Sequence, residues 1–267
     1  MGAPPTTYVV AVTRWGRPWQ EEAAEMAQAL GGTVIDARKV LGGPVPVVVR
    51  ATSDEGEASR LRARFRDRGH GVVACDLSRV ASSRTMVSPR DFELGPTAFV
   101  AHLPAEGPEQ MPYDEVVAIV WARHTVTEVT RSIEHGRKFS AGRAVMTSGL
   151  IRSVATVTKK ISETEEHEGV VYLYRKTGAG HFLLREGSLR YGGLGDGRAP
   201  TRTQNFKVLV DALRQRAPSA LFDARLATSP PRKALAPSAT GLPATSNVDA
   251  TDLAAHLVTI ARLQGQI

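Results

Sequence analysis

Over the first eighty residues the apolar positions keep two rhythms in turn. Tyr8–Thr13 is a short continuous apolar run rich in valine and reads as a strand. Trp19, Ala23, Met26 and Leu30 then recur at i, i+4, i+7 and i+11, which predicts a helix over Pro18–Leu30. Pro18 suits its first turn and Gly31-Gly32 its end. A second apolar run, Thr33–Ala37, predicts a strand. The order then repeats: a strand at Pro46–Ala51, a helix at Asp54–Arg68 and a strand at Gly71–Asp76. Ser53 is the expected N-cap of that helix, Asp54 and Glu55 suit the positive end of its dipole, and Ala58, Leu61 and Phe65 form its buried stripe.

Strand–helix–strand written twice predicts a ferredoxin-like βαββαβ domain over residues 1–96, with both helices on one face of a four-stranded sheet. Beyond it the pattern turns β-rich. Thr97–Leu103 and Val116–Val126 read as strands, as do Phe139–Met146 and Leu150–Thr158. Gly169–Lys176 and His181–Arg185 read as a hairpin closed by Thr177-Gly178-Ala179-Gly180, with a short strand at Ser188–Tyr191. Phe206, Leu209, Val210 and Leu213 share one side of a helix over about 204–216. Strands closed by one amphipathic helix, entered through Tyr113-Asp114-Glu115, resemble the pleckstrin-homology and GRAM-like domains over roughly 97–217. The fold class expected is therefore α+β: a ferredoxin-like domain (1–96), then a β-rich PH-like domain (97–227) closed by a C-terminal helix. Residues 228–247, with Pro230, Pro231, Pro237 and Pro243 among small polar residues, read as a flexible linker. Residues 248–267 regain a helical period through Leu253, Leu257, Ile260 and Leu263, either docked on the body or free to bind a partner.

Composition narrows the class. The 267 residues are 42% hydrophobic, enough for a packed core. One cysteine, Cys75, excludes an internal disulfide or a multi-cysteine zinc site and fits a reducing, cytoplasmic setting. The start carries no secretory pattern, and the longest clean apolar run, Val116–Ala122, is too short to span a bilayer, so no transmembrane segment is expected. The net charge of +7 comes mostly from arginine, which suits carboxylate or phosphate partners because guanidinium binds both bidentately.

Catalytic patterns are not found. Gly192-Gly193-Leu194-Gly195-Asp196-Gly197 lacks the lysine and the adjoining helix of a phosphate loop and reads as a turn. Lys176-Thr177-Gly178 has no accompanying Ser-x-x-Lys. The seven histidines are scattered; only His167, within Glu163–Glu168, lies among acids, and that run reads as a solvated loop. No Gly-x-Ser-x-Gly elbow occurs, and Cys75 reads as core.

Two basic stretches stand out. Arg137–Lys160 carries no acid, and on a PH-like domain the resemblance implies that such loops receive anionic headgroups or acidic peptides. Arg143, Arg152, Lys159 and Lys160 are the expected contacts. On the second helix, Arg60, Arg64 and Arg68 share one flank of the buried stripe and are the expected contacts of a nucleic-acid-binding alternative. The leading expectation is a non-enzymatic cytoplasmic regulatory or adaptor protein without cofactor or metal, recognising an acidic peptide, a protein or an anionic headgroup. A third possibility is an enzyme assembled from Tyr113, Asp114, His124 and Arg185.

Overall fold

The computed structural model describes residues 6–103, 107–139, 153–177, 180–236 and 244–267, and side chains within these except at 129–139, 153–162 and 234–236. The chain is mixed α+β, with several small sheets and helices. It divides into two units, one of residues 1–124, 168–232 and 247–267 and a smaller one of 125–167 and 233–246.

In the first unit, β1 (Tyr8–Arg14) is followed by α1 (Trp19–Leu30) and α2 (Val34–Leu41), then β2 (Val47–Thr52), α3 (Glu55–Asp67) and β3 (Gly71–Asp76). The sheet has three strands in the order β2-β1-β3, both neighbours antiparallel to β1. The expected ferredoxin-like domain needs a fourth strand at Thr33–Ala37, and that segment is helical. Thr33 is an N-cap whose hydroxyl accepts the Asp36 N–H at 3.1 Å, and Ala37 and Leu41, one turn apart, are the buried pair. Local capping outweighs the β-branched character of Val34 and Ile35, and both point outward at 38% and 66% exposure. The N-cap of α3 is Asp54 rather than Ser53; its carboxylate accepts the Gly56 N–H at 2.7 Å. Ala58, Leu61 and Phe65 are buried as the spacing predicts.

This sheet is covered on both faces. Val10, Val12 and Val72 pack against α1, α2 and α3. Val9, Ala11, Val73 and Cys75 pack against Leu257 and Ala261 of the last helix. Burial on both sides explains why β1 reads as a continuous apolar run rather than an alternating one.

Next come β4 (Asp91–Leu94), β5 (Ala98–His102) and β6 (Glu109–Pro112), a separate antiparallel sheet. Its first hairpin, with Leu94 opposite Phe99, straddles the domain boundary expected at residue 96, and so both sides of that boundary fall in one unit. Long strands β7 (Val116–Phe139) and β8 (Ser153–Arg175) follow, then β9 (Phe182–Arg185), α4 (Arg202–Arg216), β10 (Leu221–Asp223) and the short α5 (Arg225–Thr228). β7, β8 and β9 are neighbours in one sheet, and β10 joins β7 in parallel. Residues 140–152, on which parts of two expected strands fall, lie outside the described residues. Ser188–Tyr191 forms a turn leading into a 3₁₀ stretch, not a strand.

Alternation along β8 sorts the core. Val171 and Leu173 face α4, meeting Phe206, Leu209, Val210 and Leu213 together with Phe92, Phe99 and Met111 of the β4–β6 sheet. Val170, Tyr172 and Tyr174 face the last helix, α6 (Val248–Leu263), at Ala254, Ala255 and Val258. A helix packs on this sheet as expected, and the described strands fall into several small sheets.

α6 is therefore lined on two sides. Leu257 and Ala261 meet the first sheet; Ala254, Ala255 and Val258 meet the second. The expected stripe is only partly the buried face, since Leu263 is 57% exposed while the alanines carry the contacts. Small residues let two sheets approach one helix. The helix is docked in cis and is not a free partner-binding element.

In the smaller unit, β11 (Ala234–Ala236) and β12 (Ala244–Ser246) pair antiparallel, and β12 adds to β7 at Val126–Glu128. These strands occupy part of the expected linker. Three-residue strands are too short to show a period. Residues 237–243 lie outside the described residues.

One glycine of the 191–197 cluster is fixed by packing. A Cβ on Gly193 would lie 2.0 Å from the Phe92 carbonyl oxygen, while Gly192 and Gly197 have no neighbour within 4 Å. Gly193→Ala is expected to lower stability by about 2–3 kcal/mol and Gly192→Ala by under about 1 kcal/mol, measured by urea unfolding. Equal effects would remove the close approach as the cause.

Candidate functional site

Arg143 and Arg152 lie outside the described residues. Lys159 and Lys160 sit on β8, where side chains are not described. Arg60, Arg64 and Arg68 are placed, and each has a carboxylate. Arg64 contacts Glu25 at 2.5 Å and Arg68 contacts Glu22 at 2.6 Å, which ties α3 to α1; Arg60 lies 3.6 Å from Asp54. Glu22 is buried, and its bond to Arg68 holds its carboxyl below the usual range despite burial. Arg64 and Arg68 form a structural seam and Arg60 lies by the N-cap of its own helix, which leaves a nucleic-acid phosphate less unmatched charge to meet.

The acidic run, expected as a solvated loop, lies on β8, and two of its carboxylates are paired. Lys233 Nζ donates to Glu165 at 2.6 Å and lowers its pKa, and Glu168 holds Arg185 at 3.0 Å. Among the described residues no group of three His, Cys, Asp or Glu side chains is placed to hold a metal ion. Among the described residues no helix is long and apolar enough to cross a membrane. The four residues of the enzyme reading fall into two separate places, with the Arg185 charge felt at His124 and Tyr113 and Asp114 elsewhere. Tyr113 and Asp114 line a surface pocket with Arg216, while His124 lies eight residues beyond Val116 on β7, about 26 Å along the strand.

His124 instead belongs to a buried polar chain. Tyr172 donates to Asp252 at 2.7 Å and its oxygen lies 2.6 Å from His124 Nε2. Asp252 also accepts the Ser83 N–H at 2.8 Å. Since the Tyr172 proton goes to Asp252, His124 Nε2 must carry the proton that Tyr172 accepts. That leaves His124 Nδ1 buried and unprotonated, with no hydrogen-bond partner among the described residues. Burial pushes the His124 pKa down to about 4, and the positive charge of Arg185 adds to the shift. None of these three side chains lines a described cavity.

This chain predicts a pH dependence. The folded value of His124 lies below its ordinary value of 6.5, so the unfolded chain binds the extra proton first. The contribution is present above about pH 6.5 and is lost as pH falls toward 4, amounting to about 3 kcal/mol when complete. Urea unfolding of wild type and His124→Gln across pH 7 to 4 checks it. The variant should lose less stability over this range; parallel curves would remove His124 as the source.

The accessible site lies elsewhere. A cleft of about 480 Å³ opens between α3, the end of β3 and α6, lined by Tyr8, Glu55, Arg62, Asp76, Arg79 and His256 among others. Arg62 reaches it because the α3 stripe turns Ala58, Leu61 and Phe65 inward. It has no ion pair or hydrogen bond among the described residues. Arg79 stands on a 3₁₀ turn, 83% exposed, with Asp76 3.9 Å away. The carboxylates are engaged: Glu55 accepts from the Tyr8 hydroxyl at 3.2 Å, and Asp76 accepts the Ser78 N–H at 2.8 Å. Cys75 also lines the cleft, and burial raises its thiol to about 11, so it is not a thiolate at neutral pH.

A second cavity of about 330 Å³ shares Arg79 and His256 with the cleft and adds Thr85, Met86 and His181. Behind it, the Tyr174 ring lies 5.0 Å from His181 and 6.4 Å from His256. Burial lowers both histidines, His256 to about 4. Arg79 and His256, the latter one of the seven scattered histidines, lie far apart in the chain and in no motif. The only local signal was Asp76-Leu77-Ser78-Arg79, a strand end running into an Asx turn. No known protein family, curated protein or solved structure matches the chain.

Proposed function

We propose that this is a non-catalytic, regulatory binding protein of the cytoplasm that recognises an acidic peptide segment of a protein partner in the cleft between α3, β3 and α6. The observation that carries the reading is Arg62, a cleft-lining guanidinium without a partner among the described residues, beside the loosely held Arg79. The other placed arginines of α3 are used within the fold, Arg66 by the Val72 carbonyl at 2.7 Å and Arg60, Arg64 and Arg68 by carboxylates. Guanidinium groups held open beside a cavity suit a carboxylate. Glu55 and Asp76 favour a peptide over a lipid headgroup or free phosphate, because a peptide also supplies N–H donors. The sealed position of the His124–Tyr172–Asp252 chain supports a binding role, since no substrate reaches it through the described cavities. A lone, buried cysteine suits a reducing compartment.

Titration calorimetry of the full chain with a hexaglutamate peptide tests this. Binding should weaken at least about tenfold in Arg62→Gln and in Arg79→Gln, and should fall with added salt. Arg60→Gln should bind as wild type does. No binding, or binding indifferent to Arg62 and Arg79, would overturn the reading.

A further inference from the structure

The cleft and the inner cavity differ in charge. Glu55 and Asp76 stand in the cleft beside Arg62 and Arg79. The inner cavity has no carboxylate among its lining residues; its polar groups are Arg79, Thr85, His181 and His256. His181 Nδ1 accepts the Arg175 N–H at 3.2 Å, so in the neutral ring the proton is on Nε2, which is a donor. His256 Nδ1 is buried with no hydrogen-bond partner among the described residues, and the Tyr174 hydroxyl behind the two imidazoles is in the same condition. His256 and Arg79 belong to both walls and stand where the two spaces adjoin.

We propose that the inner cavity is an oxyanion subsite, in which one acidic side chain of the bound peptide meets Arg79, His181 and His256, and that binding there brings a solvent proton onto His256. The subsite rests on the proposed peptide-binding reading and gives it a specificity pocket. A cavity offering donors and no acceptor carboxylate selects a carboxylate over an ammonium group. Desolvation makes the imidazolium costly in the free protein, and a carboxylate beside it removes that cost. The ionisable groups around His256 are consistent with this. Tyr8, Glu55, Arg62, Cys75, Asp76 and Arg79 share the cleft with it, His181 shares the cavity, and Tyr174 packs against its ring. The carboxylates Glu55 and Asp76 are present before and after binding, so the change on binding comes from the ligand.

The test is hexaglutamate binding by calorimetry at pH 6.5 in two buffers of different ionisation enthalpy. Wild type should take up a proton, and its affinity should rise as pH falls from 7.5 to 6. His256→Gln should abolish the uptake and weaken binding about tenfold, and His181→Gln should weaken binding while sparing part of the uptake. The wild-type buffer comparison needs no variant and stands even if a substitution unfolds the chain. Arg62-dependent binding with no proton uptake, and with His256→Gln equal to wild type, would overturn the subsite and leave the peptide-binding reading intact. Absence of binding, or binding indifferent to Arg62 and Arg79, would overturn both.

Discussion

Deleting residues 248–267 is expected to abolish cooperative folding. Leu257, Val258 and the alanines at 254, 255 and 261 are all buried, and burying such side chains contributes about 5–9 kcal/mol. That is comparable with the whole stability of a typical domain, about 5–15 kcal/mol. The loss goes further, because Val9, Ala11, Val73 and Cys75 on one sheet and Val117, Ala118, Val120 and Tyr172 on the other would then face water. The truncated chain should show no sharp thermal transition and should bind a hydrophobic dye. A freely tethered terminal helix makes the opposite prediction, an unchanged melting curve on deletion, and that result would contradict the placement of α6 between two cores.

Asp252→Ala should be the most damaging single substitution among the polar positions. It removes the acceptor of the Tyr172 hydroxyl and of the Ser83 N–H, both buried. A buried group left without its partner costs about 1–3 kcal/mol. The expected loss is about 3–5 kcal/mol, or about 10 °C in melting temperature for a chain of this size. Asp252→Asn keeps an acceptor oxygen and should lose about 1–2 kcal/mol. The near-ultraviolet signal of the tyrosines should fall in the alanine variant before global unfolding, because Tyr172 stacks on Tyr174 at 6.0 Å. If the alanine variant melted within a degree or two of wild type, the buried chain would not be what pins the 82–83 loop to α6.

Much of the element order was legible. The stripe Ala58, Leu61, Phe65 and the helix side of Phe206, Leu209, Val210 and Leu213 are buried where their spacing put them, because single-faced helices announce themselves. What failed is what periodicity does not encode. Val34 and Ile35 are apolar and exposed, so the run Thr33–Ala37 carried no burial signal, and its identity was decided by the Thr33 cap. β4 and β5 pair across a boundary drawn from the repeated strand–helix–strand pattern, and pairing between strands leaves little trace in either one alone. α6 hides its role because alanines share both buried faces with Leu257 and Val258, and alanine has the weakest apolar signature. The cleft was not legible at all. Arg62 looked like its neighbours on α3, and only the positions of Glu22, Glu25 and Asp54 show which arginines are matched.

The place of α6 also sets an order of events during synthesis. β1 and β3 emerge early from the ribosome, yet Leu257 and Ala261, which cover their second face, come ~180 residues after Asp76. At about 5–20 residues per second this leaves a nascent apolar surface uncovered for roughly ten to forty seconds. Over that interval the growing polypeptide presents a sheet face that α6 has yet to cover, an expected point of engagement for a chaperone.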